Sequence, residues 1–238
     1  MTVVYAADHN LYPVLPTVIN SLLLNNPDTK VYIFAEDDEI YNISHPNITV
    51  INYKIFQKYM LPTSPQAKEY YIPYPTFIRL WIADVLQEDK VLYLDVDTIV
   101  DGNLAELWHI DITNFTIAGA KDISWNKYLQ YTNTYINAGV ILFNLKKWRE
   151  LNLSKQATDL LNTKKFRYGD QDIINLLCDK NKLIINNRYN HGRYTAYWES
   201  QYPILIHHWP GKPKVWEKTA DDGSKKLWAK YYTPFLKK

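Results

Sequence analysis

The sequence predicts an α/β fold in which a mixed, mostly parallel sheet is flanked by helices. Short apolar runs alternate along the chain with segments whose apolar residues recur at helical spacing. Nearly half of the 238 residues are hydrophobic, which is enough to bury a sizeable core. No internal repeat and no low-complexity linker divides the chain, so one domain is the simplest organisation.

The first half of the chain contains four predicted strands and two predicted helices. The strands are the short apolar runs at residues 2–7, 31–35, 48–52 and 90–94. Residues 11–25 carry their apolar side chains on one helical face, and residues 76–87 form the second predicted helix. Residues 54–75 are rich in Tyr, Pro and Lys and weakly periodic, which is typical of a loop or a lid.

The second half adds further strands and helices and ends in a distinct tail. Strands are predicted at residues 116–120, 135–144, 183–187 and 203–209, and helices at residues 146–162 and 170–179. Beyond a domain of residues 1–216, the tail of residues 217–238 mixes Lys with Trp, Tyr and Phe. Such a tail is typical of a helix packed on the domain, or of a segment that lies on an anionic membrane surface.

Composition and cysteine content narrow the function classes. The formal net charge of +2 is close to neutral and does not suggest a nucleic-acid-binding protein. Cys178 is the only cysteine, which excludes an intramolecular disulfide and fits a reducing compartment. The N-terminus lacks the basic and apolar regions of a signal peptide, and no apolar run reaches the ~18 residues of a membrane span. We therefore expect a cytoplasmic protein, with the tail as the candidate for peripheral contact with the inner membrane face.

Two carboxylates, Asp95 and Asp97, follow the apolar strand at residues 90–94. Side chains two apart on extended backbone point the same way, so the pair offers oxygen ligands to a divalent cation. A bland alternative is one capping Asp and one solvated Asp. A sharper alternative is a haloacid-dehalogenase-like phosphatase, with Asp95 as nucleophile, Asp97 as general acid, and Asp221 in a second acidic pair. The mid-chain position of Asp95 disfavours the phosphatase.

A second polar cluster follows the predicted strand at residues 203–209. His208 comes at the end of that strand, and a turn containing Gly211 leads to Lys214. Neutral imidazole is a good third ligand for Mn²⁺ beside two carboxylates. Lys214 suits a phosphate group as a point charge. The two clusters together predict a metal-assisted site for a diphosphate.

Taken in order, these motifs resemble glycosyltransferase family 8, the retaining enzymes that include glycogenins and bacterial lipooligosaccharide galactosyltransferases. The resemblance covers Met1 to about Trp216. It is carried by residues 5–10, 77–80, 91–97, 135–144, 168–175 and 208–216. The chain departs from the family pattern at Val215, where the family usually has proline, but the spacing from His208 to Lys214 is intact.

The resemblance implies a single GT-A type nucleotide-sugar-binding domain over residues 1–216. It further implies that a hexose, glucose or galactose, moves from a UDP-sugar donor to a hydroxyl of a glycan, glycoprotein or glycolipid acceptor. The implied cofactor is Mn²⁺, with Mg²⁺ as the alternative. A catalytically silent binder of nucleotide-sugars or glycans on the same fold remains an alternative function.

The resemblance also assigns roles to individual residues. The implied metal ligands are Asp95, Asp97 and His208. The implied donor-binding residues are Ala6, Asp8, Asn10, Arg79, Asp95, Val96, Asn137, Asp170, Gln171, Gly211 and Lys214, and Tyr12 is expected to stack on uracil. The implied catalytic residues are Gln171, Asp170 and Lys214. Because Gln171 is expected nearest the anomeric carbon and an amide is a poor nucleophile, we favour front-face transfer over a covalent intermediate.

Overall fold

A mixed seven-stranded sheet organises the computed structural model, which describes residues 1–60, 64, 74–122, 134–192 and 202–237. The strands are β1 (Thr2–Ala7), β2 (Lys30–Ala35), β3 (Ile43–Ser44), β4 (Ile48–Asn52), β5 (Lys90–Leu94), β6 (Thr98–Val100), β7 (Ile117–Lys121), β8 (Ile136–Asn144), β9 (Lys182–Ile185), β10 (Ile206–His208) and β11 (Leu236–Lys237). The central sheet has the order β4-β2-β1-β5-β8-β7-β9. The predicted α/β class and the mixed, mostly parallel sheet are therefore confirmed.

Strand β8 is antiparallel to both of its neighbours, β5 and β7, whereas the other paired strands of the sheet run parallel. The first residues of β8 therefore lie at the edge where the parallel strands end. In the β5–β8 register Leu94 faces Val140, and the backbone N–H of Asp95 donates to the carbonyl of Gly139 at 2.8 Å. This pairing places the start of β8 beside the two carboxylates that follow β5.

Helices cover both faces of the sheet. They are α1 (Leu15–Asn25), α2 (Ala105–Trp108), α3 (Leu145–Glu150), α4 (Leu153–Thr163), α5 (Asp170–Leu177) and α6 (Asp222–Tyr231). Leu15, Ile19 and Leu22 of α1 pack in the apolar cluster on one face, and Trp148, Leu161 and Ile174 of α3, α4 and α5 pack in the cluster on the other.

Three predicted helices differ from the structure. The helix expected at residues 146–162 is two helices, α3 and α4, because Asn152 between them adopts a left-handed conformation with φ 52°. The helix expected at 76–87 is two 3₁₀ segments, Tyr74–Leu80 and Ile82–Asp84. The helix expected at 11–25 begins only at Leu15, after a 3₁₀ turn at His9–Leu11.

Packing explains why the helix predicted at residues 76–87 adopts 3₁₀ geometry. Residues 77–83 are all buried, so the segment has no solvated face of the kind that an amphipathic helix presents. The backbone N–H of Trp81 donates to Ile78, and that of Asp84 donates to Trp81, each at 2.9 Å and three residues apart. Tertiary packing on both sides has overridden the helical periodicity of the sequence.

A short two-stranded ladder, β6 with β10, stands apart from the central sheet. Its antiparallel register sets His208 opposite Thr98. The ladder continues past the strands, because the N–H of Trp209 donates to the carbonyl of Asp97 at 3.0 Å. Residues more than a hundred positions apart are thereby brought to one place.

Residues 217–237 pack on the body of the fold. The Tyr231 side chain of α6 is buried, and its hydroxyl accepts a hydrogen bond from Asn25 at 3.1 Å. Strand β11 pairs in parallel with β3. Most of the predicted lid at 54–75 lies outside the described residues. Among the helices of the described part of the chain, none combines the length and hydropathy needed to cross a bilayer.

Candidate functional site

Two cavities open at the edge of the sheet where the parallel strands end. The first has a volume of about 490 Å³. Its lining residues come from β1 and the turn after it, the 3₁₀ segment Tyr74–Leu80, the end of β5 and the residues after it, and the loop after β10. They are Ala6, Asp8, Asn10, Leu11, Pro75, Thr76, Arg79, Tyr93, Asp95, Val96, Asp97, Lys214 and Trp216. In open α/β sheets, this edge is where ligands bind.

The second cavity is smaller, with a volume of about 290 Å³. Its walls are Thr76, Arg79, Asp95, Asp97, Asn137, Ala138, Gly139, Arg167, Tyr168, Asp170, Gln171, His208, Pro210 and Gly211. The two cavities share Thr76, Arg79, Asp95 and Asp97. With the exception of Tyr12, all the residues that the sequence indicated for donor or metal binding therefore line one cavity or the other.

Asp95 and Asp97 of this shared region meet His208, which lines the second cavity. Their candidate ligand atoms all lie within 4.8 Å of one another. The Nε2 atom of His208 is 3.2 Å from Oδ1 of Asp97 and 3.8 Å from Oδ2 of Asp95. The other oxygen of each carboxylate contacts a basic side chain: Arg79 at Asp95 and Lys214 at Asp97. Each acid thus directs one oxygen toward the imidazole.

Gly139 of β8 makes this close approach possible. A methyl group added there would lie 2.1 Å from Cε1 of His208, 2.7 Å from its Nε2 and 2.9 Å from Oδ2 of Asp95. These distances are shorter than van der Waals contact, which is about 3.5–4.0 Å between carbon atoms. The space above Gly139 is therefore a cradle in which an imidazole and a carboxylate converge, as a divalent-cation site requires.

Arg79 lines both cavities and pairs with two of their acids. Its guanidinium donates from Nη2 to Oδ1 of Asp95 at 2.7 Å and pairs through Nε with Oδ2 of Asp170 at 3.0 Å. It also donates to the carbonyl of Ala138 and lies over the ring of Tyr93, 4.3 Å from the ring centroid. A charged side chain buried to this degree is costly without partners, and Arg79 has two acids and two carbonyls, those of Ala138 and Thr76.

Asp170 and Gln171 begin helix α5, directly after Gly169. Gly169 adopts φ 52° and ψ −117°, a conformation that favours glycine, and this turn directs the helix start toward the cavity. Gln171 accepts a hydrogen bond through Oε1 from the N–H of Ala138 at 2.9 Å. Asp172, rather than Asp170, accepts the hydrogen bond from the N–H of Tyr168, at 2.8 Å, so Asp170 remains turned toward Arg79.

The acids of the site have shifted pKa values for different reasons. Burial raises the pKa of Asp97, but His208 and Lys214 lower it more, so its net pKa lies below the usual value and the group is ionised at neutral pH. Burial raises the pKa of Asp170 to about 6, against the opposing effect of Arg79. Burial lowers the pKa of Arg79, but Asp170 and Asp95 raise it above the usual value.

The first cavity ends at the turn that follows β1. Asp8 caps the 3₁₀ turn by accepting from the N–H of Asn10 at 3.1 Å, and both residues line the cavity.

The expectation that Tyr12 stacks on uracil is wrong. Tyr12, the residue that ends the 3₁₀ turn His9–Leu11, is buried in the core, where its hydroxyl accepts from the N–H of Asp37 at 3.1 Å.

Lys214 and Gly211 belong to the turn that follows β10. Gly211 adopts φ 77°, and the turn returns Lys214 to the acids. The Nζ atom of Lys214 donates to Asp97 and to the carbonyl of Trp209, the latter at 3.0 Å. The ammonium group is therefore held at the wall of the first cavity.

Several residues at or behind the cavity walls were not singled out from the sequence. Tyr93 and Thr76 have no polar pattern that marks them, and their place depends on packing. Asn190 is fully buried and lies 2.8 Å from Nδ1 of His208 through its Oδ1. A single Asn in an Asn-rich chain carries no signal that distinguishes it.

Asp221 does not accompany Asp95 in the manner of a phosphatase. It caps α6 by accepting from the N–H of Ser224 at 2.9 Å, and it is exposed. It lines a different cavity, of about 600 Å³. The second acidic pair that the phosphatase alternative requires is therefore not at the site.

Comparison with known proteins agrees with the site. The profile of glycosyl transferase family 8 matches residues 2–220. A putative glycosyltransferase of Haemophilus influenzae is 31% identical over 253 residues, which cover 92% of this chain and 73% of that protein. The glycosyltransferase GlyA of Streptococcus pneumoniae is 29% identical over 97% of this chain, but this chain spans only 34% of GlyA.

The fold is also shared with a solved enzyme. The galactosyltransferase LgtC, in a crystal structure with donor and acceptor sugar analogues, superimposes with a TM-score of 0.79 at 24% identity, covering 98% of this chain and 97% of LgtC. This likeness confirms the GT-A type fold. Since the family profile spans most of the sequence, the chain belongs to glycosyltransferase family 8.

Proposed function

We propose that this chain transfers a hexose, glucose or galactose, from a UDP-sugar to a hydroxyl of a glycan, glycoprotein or glycolipid, with retention of anomeric configuration. The observation that carries the proposal is the common wall of the two cavities, made by Thr76, Arg79, Asp95 and Asp97. A nucleotide in the larger cavity and a hexose in the smaller one would meet at the two carboxylates, where the diphosphate of the donor belongs.

The two acids of this wall, together with His208 beside it, fit a divalent cation. Asp95, Asp97 and His208 supply two carboxylates and an imidazole, a donor set that suits Mn²⁺, with Mg²⁺ as the alternative. The cradle over Gly139 leaves room for their approach. When bound there, the ion would neutralise charge on the departing diphosphate.

The chain's own residues would bind and orient the donor. At the nucleotide end, we assign Ala6, Asp8, Asn10 and Val96 to the uridine. Lys214 has a charge suited to a phosphate, and Gly211 gives its turn the required conformation.

At the sugar end, we assign Asn137, Asp170 and Gln171 to the hexose, with Arg79 holding Asp170 and Asp95 in place. Positioning and preorganised charge of this kind contribute several kcal/mol to catalysis.

Retention by front-face attack is favoured over a covalent intermediate. Gln171 is an amide, and its Oε1 already accepts a hydrogen bond from Ala138 of the sheet, which further weakens it as a nucleophile. Asp170 is engaged with buried Arg79 at 3.0 Å. In front-face transfer, the acceptor hydroxyl passes its proton to the departing diphosphate oxygen. Trapping a sugar covalently on the protein, detected by mass spectrometry with a slow donor, would refute this route.

A panel of UDP-sugars tests the proposed function. We expect UDP release from UDP-glucose or UDP-galactose with Mn²⁺, and loss of release with a chelator or in Asp97→Asn. Asp159→Asn, which alters an exposed acid paired with Lys155 on α4, is the matched control and should keep full activity. Binding of a UDP-sugar without any release, with or without candidate glycan acceptors, would favour the silent binder instead.

Peripheral membrane contact through the C-terminal segment is a separate part of the proposal. Tyr232 and Phe235 are exposed, and so are Lys225 and Lys226 of α6. Aromatic and basic groups together suit an anionic membrane surface. We expect sedimentation with vesicles that contain anionic lipid and reduced sedimentation of the double variant Tyr232→Ser, Phe235→Ser. The absence of wild-type binding to such vesicles would end this part of the proposal.

A further inference from the structure

A chain of buried side-chain amides leads away from the candidate metal ligand His208. Asn190 is fully buried, and its Oδ1 lies 2.8 Å from Nδ1 of His208. Its Nδ2 donates to Oδ1 of Asn137 at 3.0 Å. Asn137 donates in turn from Nδ2 to Oδ2 of Asp122 at 3.2 Å. The chain thus connects the imidazole to Asn137, a wall of the smaller cavity.

The direction of these hydrogen bonds is fixed at the Asn137 end by two groups of single polarity. The backbone N–H of Gly139 can only donate, and it lies 3.0 Å from one side-chain atom of Asn137, which must be the oxygen. The carboxylate of Asp122 accepts at the other side-chain atom, which must be the nitrogen. The orientation of Asn137 therefore follows from its neighbours.

The orientation of Asn190 follows from that of Asn137. Because the oxygen of Asn137 accepts, the atom of Asn190 facing it is the NH₂ group. The oxygen of Asn190 then faces His208, and an amide oxygen can only accept. The proton of the neutral imidazole therefore lies on Nδ1. Whenever the ring is neutral, the lone pair then lies on Nε2, which is 3.2 Å from Oδ1 of Asp97 on the side of the carboxylates.

The backbone holds Asn190 in this place. The N–H of His191 donates to the carbonyl of Ile206 at 2.9 Å, and the N–H of His208 donates to the carbonyl of His191 at 2.8 Å. These two bonds join the residue after Asn190 to strand β10, which carries His208. Side chain and backbone together fix the ring.

We propose that Asn190 is a positioning residue that sets the tautomer of His208 for metal binding and couples the metal site to the sugar cavity through Asn137. This role rests on the divalent-cation site of the proposed function. An outer hydrogen bond of this kind orients a metal-bound histidine, and its removal typically weakens metal affinity by about 10- to 100-fold. Without an acceptor at Nδ1, the proton is free to move to Nε2. There it would donate to Asp97 and occupy the nitrogen that is needed for metal binding.

Two substitutions separate this role from mere packing. Asn190→Leu removes the acceptor, so we expect Mn²⁺ affinity, measured by calorimetry in the presence of UDP, to fall by about 10- to 100-fold. Asn190→Asp keeps an acceptor at Nδ1 and should bind Mn²⁺ close to wild type. It cannot donate to Asn137, so its affinity for the UDP-sugar should fall. Asn26→Leu, at another buried amide that bonds to Gly102 and Leu104, is the control and should keep wild-type Mn²⁺ affinity.

Nitrogen NMR of the imidazole in metal-free protein, at a pH where the ring is neutral, reads the tautomer directly. We expect the Nδ1–H form of His208 in wild type and Asn190→Asp, and a shift toward Nε2–H in Asn190→Leu. Wild-type Mn²⁺ affinity in Asn190→Leu, or an Nε2–H tautomer in the wild type, would overturn the role of Asn190 while leaving the proposed transferase intact. A wild-type protein that binds no Mn²⁺ would overturn the cation site as well.

Discussion

A single methyl group at Gly139 should disable the site without unfolding the protein. In Gly139→Ala, the new methyl would lie 2.1 Å from Cε1 of His208 and 2.9 Å from Oδ2 of Asp95. Gly139 cannot retreat easily, because its carbonyl accepts from the N–H of Asp95 at 2.8 Å within the β5–β8 pair. His208 is buried and held by Asn190. The imidazole, or the carboxylate, must move by about 1 Å or more to reach ordinary contact distance.

This clash should lower both the stability of the protein and its activity, and the loss of activity should be the larger effect. Overpacking of a buried position costs about 1–3 kcal/mol of unfolding free energy, measured by urea denaturation. A displacement of about 1 Å at a catalytic constellation costs about 100-fold in rate. We therefore expect Gly139→Ala to remain folded, to lose Mn²⁺ affinity, and to lose about 100-fold of its Mn²⁺-dependent UDP release.

Gly119→Ala on β7 is the matched control. Its methyl would also be crowded, at 2.7 Å from Cδ1 of Ile136, but that atom is the end of a flexible apolar side chain. We expect a comparable stability loss with unchanged Mn²⁺ affinity. Wild-type Mn²⁺ affinity and turnover in Gly139→Ala would refute the cradle, and equal losses of metal binding in both variants would reduce it to a general packing effect.

Three further predictions concern the charged groups of the site. Arg79→Met leaves the buried Asp170 and the partly exposed Asp95 without their partner, so unfolding free energy from urea denaturation should fall by about 3–5 kcal/mol; a loss below 1 kcal/mol would contradict the pairing. Burial raises the pKa of Asp170 in the folded protein to about 6, above the ordinary value of about 4, so its contribution to stability is present below about pH 4 and is lost as pH rises through 6. The stability of metal-free wild type relative to Asp170→Asn should therefore fall between pH 4 and 7, and a difference that does not change with pH would contradict the shift. Lys214→Met should raise the KM for the UDP-sugar by about 10- to 100-fold, because one charged contact to phosphate is lost, and an unchanged KM would remove Lys214 from the donor site.

The acids and the histidine of the site could be predicted from the sequence because their chemistry is local. Asp95 and Asp97 follow an apolar strand, and His208 precedes a Gly- and Lys-containing turn. Their convergence could not be derived from periodicity, since it depends on the β6–β10 ladder and on the direction of β8. The order of the motifs along the chain, and hence the family resemblance, supplied what periodicity could not.

The elements that sequence patterns predicted poorly are those that tertiary packing determines. Residues 77–83 are buried on all sides, so their backbone follows the packing and adopts 3₁₀ geometry. Asn190 and Gly139 act through distances of a few ångströms to His208, and neither residue type signals such a contact. Patterns of residue type predict which side chains have the right chemistry, and the fold decides which of them touch.

Crystals grown with Mn²⁺ and UDP offer the most direct test of the cation site. We expect an anomalous peak that places Mn²⁺ within bonding distance of Asp95, Asp97 and His208. The diphosphate of UDP should bind the same ion, and the uracil should lie in the cavity lined by Asp8 and Asn10. A peak bound elsewhere, or UDP bound in its cavity with no ion between Asp97 and His208, would contradict a metal-assisted diphosphate site.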